Sequence, residues 1–292
     1  MNTKIFSYKN SPDSVPAQEF TLTTTDNKNL YAVKWLPEAE AKAIIIIVHG
    51  IAEHIGRYEH VAQVFVDAGF AVYGYDHRTH GKSEGEPRTY FTNFNVPVAD
   101  LAQFVELVQK ENPNKKLFMY GHSMGSLISN LYALKHQDKL AGWISSGSPL
   151  ATDTSVPAPV LMILTTLSKI FPTLRLVKIP PTDLTHDENI VNAYITDPLV
   201  DAQPTRLGMA SGIVSNGKSV ISQLGNLRLP ILLLHGGEDK VCPPAASPLI
   251  YEKAGSKDKT LKVYEGLYHE IHNETQFGRI MSDVIEWVLG RI

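Results

Sequence analysis

The feature that most constrains this chain is the pentapeptide at residues 121–125, Gly-His-Ser-Met-Gly. The apolar run at residues 117–120 precedes it, and a stretch with leucines at helical spacing, residues 126–137, follows it. A serine between a buried strand and a helix is typical of a nucleophile elbow, a sharp turn that exposes the serine hydroxyl. Glycines two residues before and after the serine leave room for such a turn. The pattern predicts that Ser123 is a nucleophile.

A second G-x-S-x-G pattern at residues 81–85 competes with the first. It follows the polar run at residues 76–80, which is unsuited to a buried strand. Pro87 comes shortly after it, and proline disfavours a helical conformation at the preceding residue. The context therefore favours Ser123, and we interpret Ser83 as part of a polar loop.

Composition narrows the class of protein. The 292 residues are 43% hydrophobic, enough for a large core, and 27 basic against 30 acidic residues give a net charge of -3. No basic stripe is visible, so we expect no nucleic-acid partner. The single cysteine, Cys242, excludes an internal disulfide framework and fits a reducing compartment. The N-terminal residues lack an apolar core of signal-peptide length, and the longest apolar stretch, residues 156–167, is too short to span a bilayer. These features predict a cytoplasmic protein.

Hydrophobic patterning predicts strands and helices that alternate in two parts of the chain. The expected strands are residues 30–36, 44–48, 70–75, 117–120, 140–146, 231–234 and 260–264. The expected helices are residues 57–68, 98–108, 126–137, 247–254 and 277–289. Residues 151–224 contain seven prolines and no clean alternation. We therefore predict an α/β fold with a mostly parallel central sheet and helices on both faces, formed by residues 1–150 and 225–292. A cap of mostly short helices is expected at residues 151–224.

A serine nucleophile needs an acid and a histidine to activate it. The strand at residues 231–234 leads into a loop with Asp239, where Glu238 is the competing carboxylate. The strand at residues 260–264 leads to His269, and His272 is the other histidine beyond Asp239. Because strand ends meet at one edge of a parallel sheet, the order serine, aspartate, histidine favours Asp239 and His269 as the partners of Ser123. His269 would transfer the proton, and Asp239 would orient the imidazole.

The oxyanion of an acyl-transfer reaction needs backbone N–H donors. We expect one from Met124, directly after the nucleophile, and one from Ile51, in the loop after the strand at residues 44–48. An ordinary turn is the alternative explanation for this loop. The histidines at 49, 54, 77 and 80 lack the spacing of a metal site, and no glycine-rich phosphate loop is present. No metal and no cofactor are therefore expected.

Longer motifs resemble the monoacylglycerol lipases of the α/β-hydrolase superfamily. They lie at residues 49–50, 53–54, 56–58, 76–77, 80–85, 121–125, 197–199, 259–262, 264–266 and 268–269. The resemblance covers most of the chain and is weakest in the cap. It implies an α/β-hydrolase fold, hydrolysis of a monoacylglycerol through an acyl-enzyme, and a glycerol pocket formed by Glu53, Arg57 and His272 with Tyr194 nearby. A structural ion pair or loop hydrogen bond is the alternative role for each of these four side chains.

The chain departs from that family at two positions. Similar proteins usually have a small residue in place of Ile51 and a glycine in place of Thr79. Apolar residues are frequent at 156–177, where they would line an acyl tunnel, touch a membrane surface or simply pack the cap onto the core. A lysophospholipase or a broad carboxylesterase is the alternative activity. A non-catalytic binding protein is less favoured, because a complete triad is predicted.

Overall fold

The structure is a computed structural model that describes residues 15–150 and 158–292. In the first part of the chain the strands are β1 (Gln18–Thr23), β2 (Asn29–Trp35), β3 (Ile44–Val48), β4 (Ala71–Tyr75), β5 (Leu117–His122) and β6 (Gly142–Ser146). The helices between them are α1 (Glu59–Asp67), α2 (Asn95–Glu111) and α3 (Met124–His136). Residues 158–224 then form α4 (Ala158–Ile170), β7 (Arg175–Val177), α5 (Glu188–Thr196), β8 (Thr205–Arg206) and α6 (Leu207–Gln223). The last part contains β9 (Ile231–Gly236), α7 (Ala246–Lys253), β10 (Lys259–Tyr264) and α8 (Phe277–Leu289).

Eight strands form one sheet in the order β1-β2-β4-β3-β5-β6-β9-β10. β2 pairs antiparallel with both β1 and β4, and every other pairing in this sheet is parallel. This arrangement confirms the predicted α/β fold with a mostly parallel sheet. The carboxyl ends of β3, β5, β9 and β10 therefore meet at one edge, which is where functional loops gather in open α/β sheets.

Helices cover both faces of the sheet, and strand β3 illustrates why. All five of its residues are buried. Ile44, Ile46 and Val48 belong to the apolar cluster that includes α2 and α3, whereas Ile45 and Ile47 belong to the cluster that includes α1 and α8. Because successive side chains of a strand point to opposite faces, a strand buried on both sides must be apolar throughout.

The segment between β6 and β9 differs from the expectation of mostly short helices. Helix α4 has 13 residues, α6 has 17, and β7 and β8 form a small antiparallel ladder. Glycine has a weak helix propensity, but the glycines of α6 permit close packing. A Cβ at Gly208 or Gly212 would lie 2.8 Å from the ring of Tyr90 or Phe94, respectively. Tertiary packing therefore outweighs the weak helix propensity of these glycines.

Within residues 15–150 and 158–292, no helix has both the length and the apolar character needed to cross a bilayer.

Candidate active site

Ser123 lies at the sharp turn between β5 and α3. Its φ of 52° and ψ of -123° fall in the left-handed half of backbone space, which non-glycine residues rarely adopt. The turn is held because the Ser123 N–H donates to the carbonyl of Ser146 on the neighbouring strand at 2.9 Å. The N–H groups of Ser126 and Leu127 in turn donate to the Ser123 carbonyl. The serine thus has the strand before it and the helix after it that its sequence context predicts.

The two glycines of the pentapeptide permit two different close approaches. A Cβ at Gly121 would lie 2.9 Å from Cα of Ser126 and 2.7 Å from the carbonyl oxygen of Gly125, in the first turn of α3. A Cβ at Gly125 would instead overlap the carbonyl oxygen of Val48 and lie 2.5 Å from that of His49, at the end of β3. The first glycine therefore lets the helix fold back on its own strand, and the second brings α3 against the loop that follows β3.

The rival serine, Ser83, lies in a loop, as the sequence context indicates. Its hydroxyl donates to the carbonyl of Asp76 at 2.6 Å and accepts the N–H of Tyr31 at 2.9 Å. Both contacts are to backbone groups, so the hydroxyl stabilises the loop rather than facing a base.

Asp239 and His269 form a buried pair at the ends of β9 and β10. Asp239 Oδ2 lies 2.7 Å from His269 Nδ1, and the other oxygen accepts the N–H groups of Val241 and Cys242 at 2.8 Å each. Because the carboxylate only accepts, Nδ1 of His269 carries the hydrogen, and the lone pair of the neutral ring is on Nε2. The competing carboxylate, Glu238, is exposed.

Charge and burial oppose each other in this pair. Burial disfavours the imidazolium form of His269, but the charge of Asp239 and its hydrogen bond outweigh burial, so the pKa of His269 is raised. Burial alone would raise the pKa of Asp239, yet the adjacent imidazoles of His269 and His235 hold it below its usual range. The pair is therefore suited to stabilise a proton that arrives at His269.

His235, on β9, was not identified from the sequence. It is fully buried, and its Nε2 lies 3.1 Å from Oδ2 of Asp239. The signal that could have revealed it is its position four residues before the predicted acid.

One cavity lies between the loops of the sheet edge and residues 179–205. Ser123, His269 and Ile51 line it. The N–H of Met124, the first residue of α3, has no acceptor within its own helix, as is general for the first helical residues. The predicted oxyanion donors therefore sit on the loop and the helix that border the serine.

Glu53 organises the loop that carries Ile51. Its Oε1 accepts the N–H of Gly50 at 2.6 Å and the hydroxyl of Tyr58 at 2.7 Å. Ala52, between Ile51 and Glu53, has a φ of 65°, and its carbonyl accepts the N–H of Asp201 at 2.9 Å. The loop after β3 is thus fixed by a buried carboxylate on one side and by a residue of the segment between β6 and β9 on the other.

Arg57 lies between two buried carboxylates. Its guanidinium donates to both oxygens of Glu270 at 2.7 Å each and also to Glu53. Burial would raise the pKa of Glu270, but Arg57 outweighs burial and lowers it to about 2. The ring of Tyr194, from α5, lies 4.8 Å from Cζ of Arg57. Glu270 follows the predicted histidine directly, yet the sequence did not identify it.

The four residues of the expected glycerol pocket divide into two pairs. Glu53 and Tyr194 line the cavity together with Ser123, whereas Arg57 and His272 lie behind that lining. His272 is fully buried, with the rings of Tyr58 and His122 at 4.9 and 4.7 Å. Burial lowers the pKa of His272 to about 3, so its ring is neutral.

The histidines considered for a metal site serve the loops around the cavity. Nε2 of His49 accepts the N–H of His77 at 2.9 Å, and His54 Nε2 lies 2.9 Å from an oxygen of Asp197 in the cap segment. Among the residues described, no group of three or more histidine, cysteine or acidic side chains is arranged to hold a metal ion.

Thr79, which stands where similar proteins usually have a glycine, lies in a turn of the backbone. This residue has a φ of 65°, a conformation that favours glycine.

Comparison with known proteins shows the family of this chain. Residues 39–276 match the family described as serine aminopeptidase, S33. The monoglyceride lipase of Homo sapiens is 35% identical over 97% of this chain and 94% of its own length. The monoacylglycerol lipase of Mycolicibacterium smegmatis is 31% identical over 88% of this chain and 92% of its own. The crystal structure of Paleococcus ferrophilus monoacylglycerol lipase superposes with a TM-score of 0.80 at 29% identity, covering 90% of this chain and 99% of that one. With the serine at its elbow and this similarity over most of the length, the chain belongs to the monoacylglycerol lipase family of the α/β-hydrolases.

Proposed function

We propose that this protein is a serine hydrolase that cleaves the acyl ester of monoacylglycerols into a free fatty acid and glycerol. The observation that carries the proposal is the buried Asp239–His269 pair, whose histidine lines the same cavity as Ser123. Similarity to monoglyceride lipases over nearly the whole chain supports the choice of substrate.

In the proposed mechanism, Oγ of Ser123 attacks the ester carbonyl while Nε2 of His269 accepts its proton. Asp239 stabilises the imidazolium that forms, in agreement with the raised pKa of His269. The N–H groups of Ile51 and Met124 bind the oxyanion. Collapse of the tetrahedral intermediate transfers the proton to the leaving glycerol oxygen and leaves an acyl-enzyme. Water, deprotonated by His269, then attacks the acyl-enzyme and releases the fatty acid.

We assign the glycerol end of the substrate to the Glu53 and Tyr194 side of the cavity. A carboxylate accepts hydrogen bonds from glycerol hydroxyls, and a phenol can accept or donate one. Arg57 would hold Glu53 in place from behind, and His272 would support the same wall through its packing against Tyr58.

The segment around α4 is the part we propose to contact lipid. Its large apolar side chains are mostly exposed, with Met162 at 68%, Ile170 at 62% and Phe171 at 54%. Leu174 and Leu176 are also exposed, so packing onto the core does not account for this group. Leu161 and Leu164 belong to the same apolar stretch, and their side chains lie outside the described ones. A peripheral membrane contact of a cytoplasmic enzyme through this surface would bring the cavity close to its substrate.

Ser123→Ala tests the proposal, with Ser83→Ala as the matched control from the other G-x-S-x-G pattern. We expect Ser123→Ala to abolish both hydrolysis of 1-oleoylglycerol and labelling by a fluorophosphonate probe. Ser83→Ala should keep the labelling, because its hydroxyl faces backbone groups. Activity that survives in Ser123→Ala would disprove the assignment.

A substrate panel separates the alternative activities. We expect the highest kcat/KM for 1-oleoylglycerol, a lower value for lysophosphatidylcholine and a lower value for p-nitrophenyl butyrate. A preference for either of the last two would indicate a lysophospholipase or a broad carboxylesterase instead. A fluorophosphonate probe that fails to label the wild-type protein would indicate a non-catalytic binding protein.

A further inference from the structure

We propose that His235 is a positioning residue for the triad, and that Ser247 in turn orients His235. In this arrangement Asp239 is held from two sides by imidazoles, one that reacts and one that does not. The inference rests on the proposed function, because it assigns His235 an effect through Asp239 and His269.

The contacts of His235 form a continuous chain. Nδ1 of His235 lies 2.8 Å from the hydroxyl of Ser247, on α7. Nε2 lies 3.1 Å from Oδ2 of Asp239 and 3.4 Å from the carbonyl oxygen of Cys242. The same carboxylate oxygen is 2.7 Å from Nδ1 of His269. Ser247, His235, Asp239 and His269 thus lie in one buried line that ends at the reactive imidazole.

The acceptors around His235 fix its tautomer. A carboxylate and a backbone carbonyl face Nε2, and neither can donate, so Nε2 carries the hydrogen. In the neutral ring Nδ1 is then an acceptor, and the Ser247 hydroxyl donates to it. Both His235 and Ser247 are fully buried. Each polar atom of the ring therefore has a defined partner, and the Nε2–H lies between its acceptor, the Cys242 carbonyl, and the nearby carboxylate of Asp239.

The position of His235 in its strand argues against a merely structural role. Residues 231–234 of β9 are apolar and fully buried, and an aliphatic side chain at 235 would continue this pattern. A buried imidazole costs free energy unless its hydrogen bonds compensate. Unlike an aliphatic side chain, the imidazole places an N–H beside the carboxylate of Asp239, which orients His269.

The Nε2–H of His235 affects the pKa of His269 through Asp239. It disperses part of the carboxylate charge, and its loss leaves more negative charge facing the imidazolium of His269. The pKa of His269 should then rise further, and the acid limb of the kcat/KM profile should move to higher pH. The other titratable groups that face this cluster are left unchanged by the substitution; they are the Cys242 thiol, His122, Glu53 and Glu270.

The experiment compares His235→Leu with His235→Gln, whose amide can again donate toward Asp239. We expect His235→Leu to lower kcat for 1-oleoylglycerol by about 10- to 100-fold, by analogy with the loss of an outer partner of a metal-ligating side chain. KM should change little, because His235 does not line the cavity. The acid limb should move upward by a measurable fraction of a pH unit. His235→Gln should recover most of kcat and return the acid limb toward the wild-type position.

Two outcomes would overturn the inference. A folded His235→Leu protein with wild-type kcat and an unmoved acid limb would overturn the inference. So would a fall in kcat that His235→Gln does not rescue, since packing alone would then explain it. If His235→Leu does not fold, Ser247→Ala provides the measurement, with an expected fall in kcat of a few fold. Loss of activity in Ser123→Ala with unchanged activity in His235→Leu would reject the inference and keep the proposed function, whereas activity in Ser123→Ala would reject the proposed function itself.

Discussion

Replacing Arg57 by methionine removes the charge that stabilises the buried carboxylates of Glu53 and Glu270. Methionine is unbranched and apolar, so Arg57→Met fills much of the same space without the guanidinium. Glu53 and Glu270, each 2% exposed, would then be buried without a cation. Removing one partner of a buried ion pair typically costs about 3–5 kcal/mol in the free energy of unfolding.

The pKa of Glu270 gives a second measure of the same interaction. Arg57 is the main group that lowers it from 4.5 to about 2 against the effect of burial. At about 1.4 kcal/mol per pH unit this corresponds to roughly 3 kcal/mol, within the range for a broken buried pair. In the wild type this stabilisation is present above the unfolded-state pKa and is lost as the pH falls from about 4.5 toward 2.

The variant should respond to pH in the opposite direction. Without the cation, burial raises the pKa values of both carboxyl groups in the folded state, so folding takes up protons. The stability of Arg57→Met should therefore increase more steeply as the pH falls from 7 to 5 than that of the wild type, in which burial raises the pKa of Glu53 but Arg57 lowers that of Glu270. We expect a deficit of about 3–5 kcal/mol at pH 7 and a smaller deficit at pH 5.

Urea unfolding at the two pH values provides the measurement. Arg291→Met is the control, because Arg291 also contacts both oxygens of one carboxylate, that of Asp258, but at the surface. An exposed pair contributes at most about 1 kcal/mol, so the control should lose little at either pH. A deficit below about 1 kcal/mol for Arg57→Met at pH 7, or an equal deficit at both pH values, would refute the reasoning.

Three further predictions concern the loops and the base. Gly125→Ala puts a methyl group against the carbonyl oxygens of Val48 and His49, and we expect kcat to fall about 100-fold, as when an oxyanion donor is lost; ester hydrolysis at near wild-type rate would contradict this. Thr79→Gly should be about 1 kcal/mol more stable to urea than Thr79→Ala, because only glycine relieves the left-handed backbone once the threonine hydroxyl is gone; equal stabilities would mean that the turn is unstrained. In the wild type, kcat/KM should fall as the pH decreases through a pKa above 6.5, because protonated His269 cannot accept the serine proton; an acid limb at 6.5 or below would contradict the raised pKa.

The sheet could be predicted well because burial on both faces leaves a strong mark in sequence. Strand β3 begins and ends where its run of apolar residues does. Helix α1 ends just before Gly69, whose φ of 89° is available to glycine at little cost. In both cases a local physical requirement, either complete burial or a left-handed turn, restricts the residue types.

The cap segment and the partners of the site were harder to predict because their contacts are distant in sequence. Gly208 and Gly212 favour an interrupted helix until the aromatic rings that pack against them are known. Glu270 holds Arg57, which lies more than 200 residues before it in sequence. A sequence pattern can indicate a nucleophile and its base, but the groups that hold them depend on which loops the fold brings together.

The register of the sheet has a consequence for how this enzyme can vary. The chain leaves the sheet at Ser146 and returns at Ile231, and β6 and β9 are neighbours, with Ser146 paired to Leu234. The long excursion between them therefore joins the carboxyl end of one strand to the amino end of its direct neighbour, and the entropy of closing such a loop changes only slowly with its length. Its residues can be exchanged or shortened while the edge that carries Ser123, Asp239 and His269 keeps its hydrogen-bonded register. Under the proposed function, the part of the chain that contacts lipid can thus change separately from the part that cleaves the ester bond.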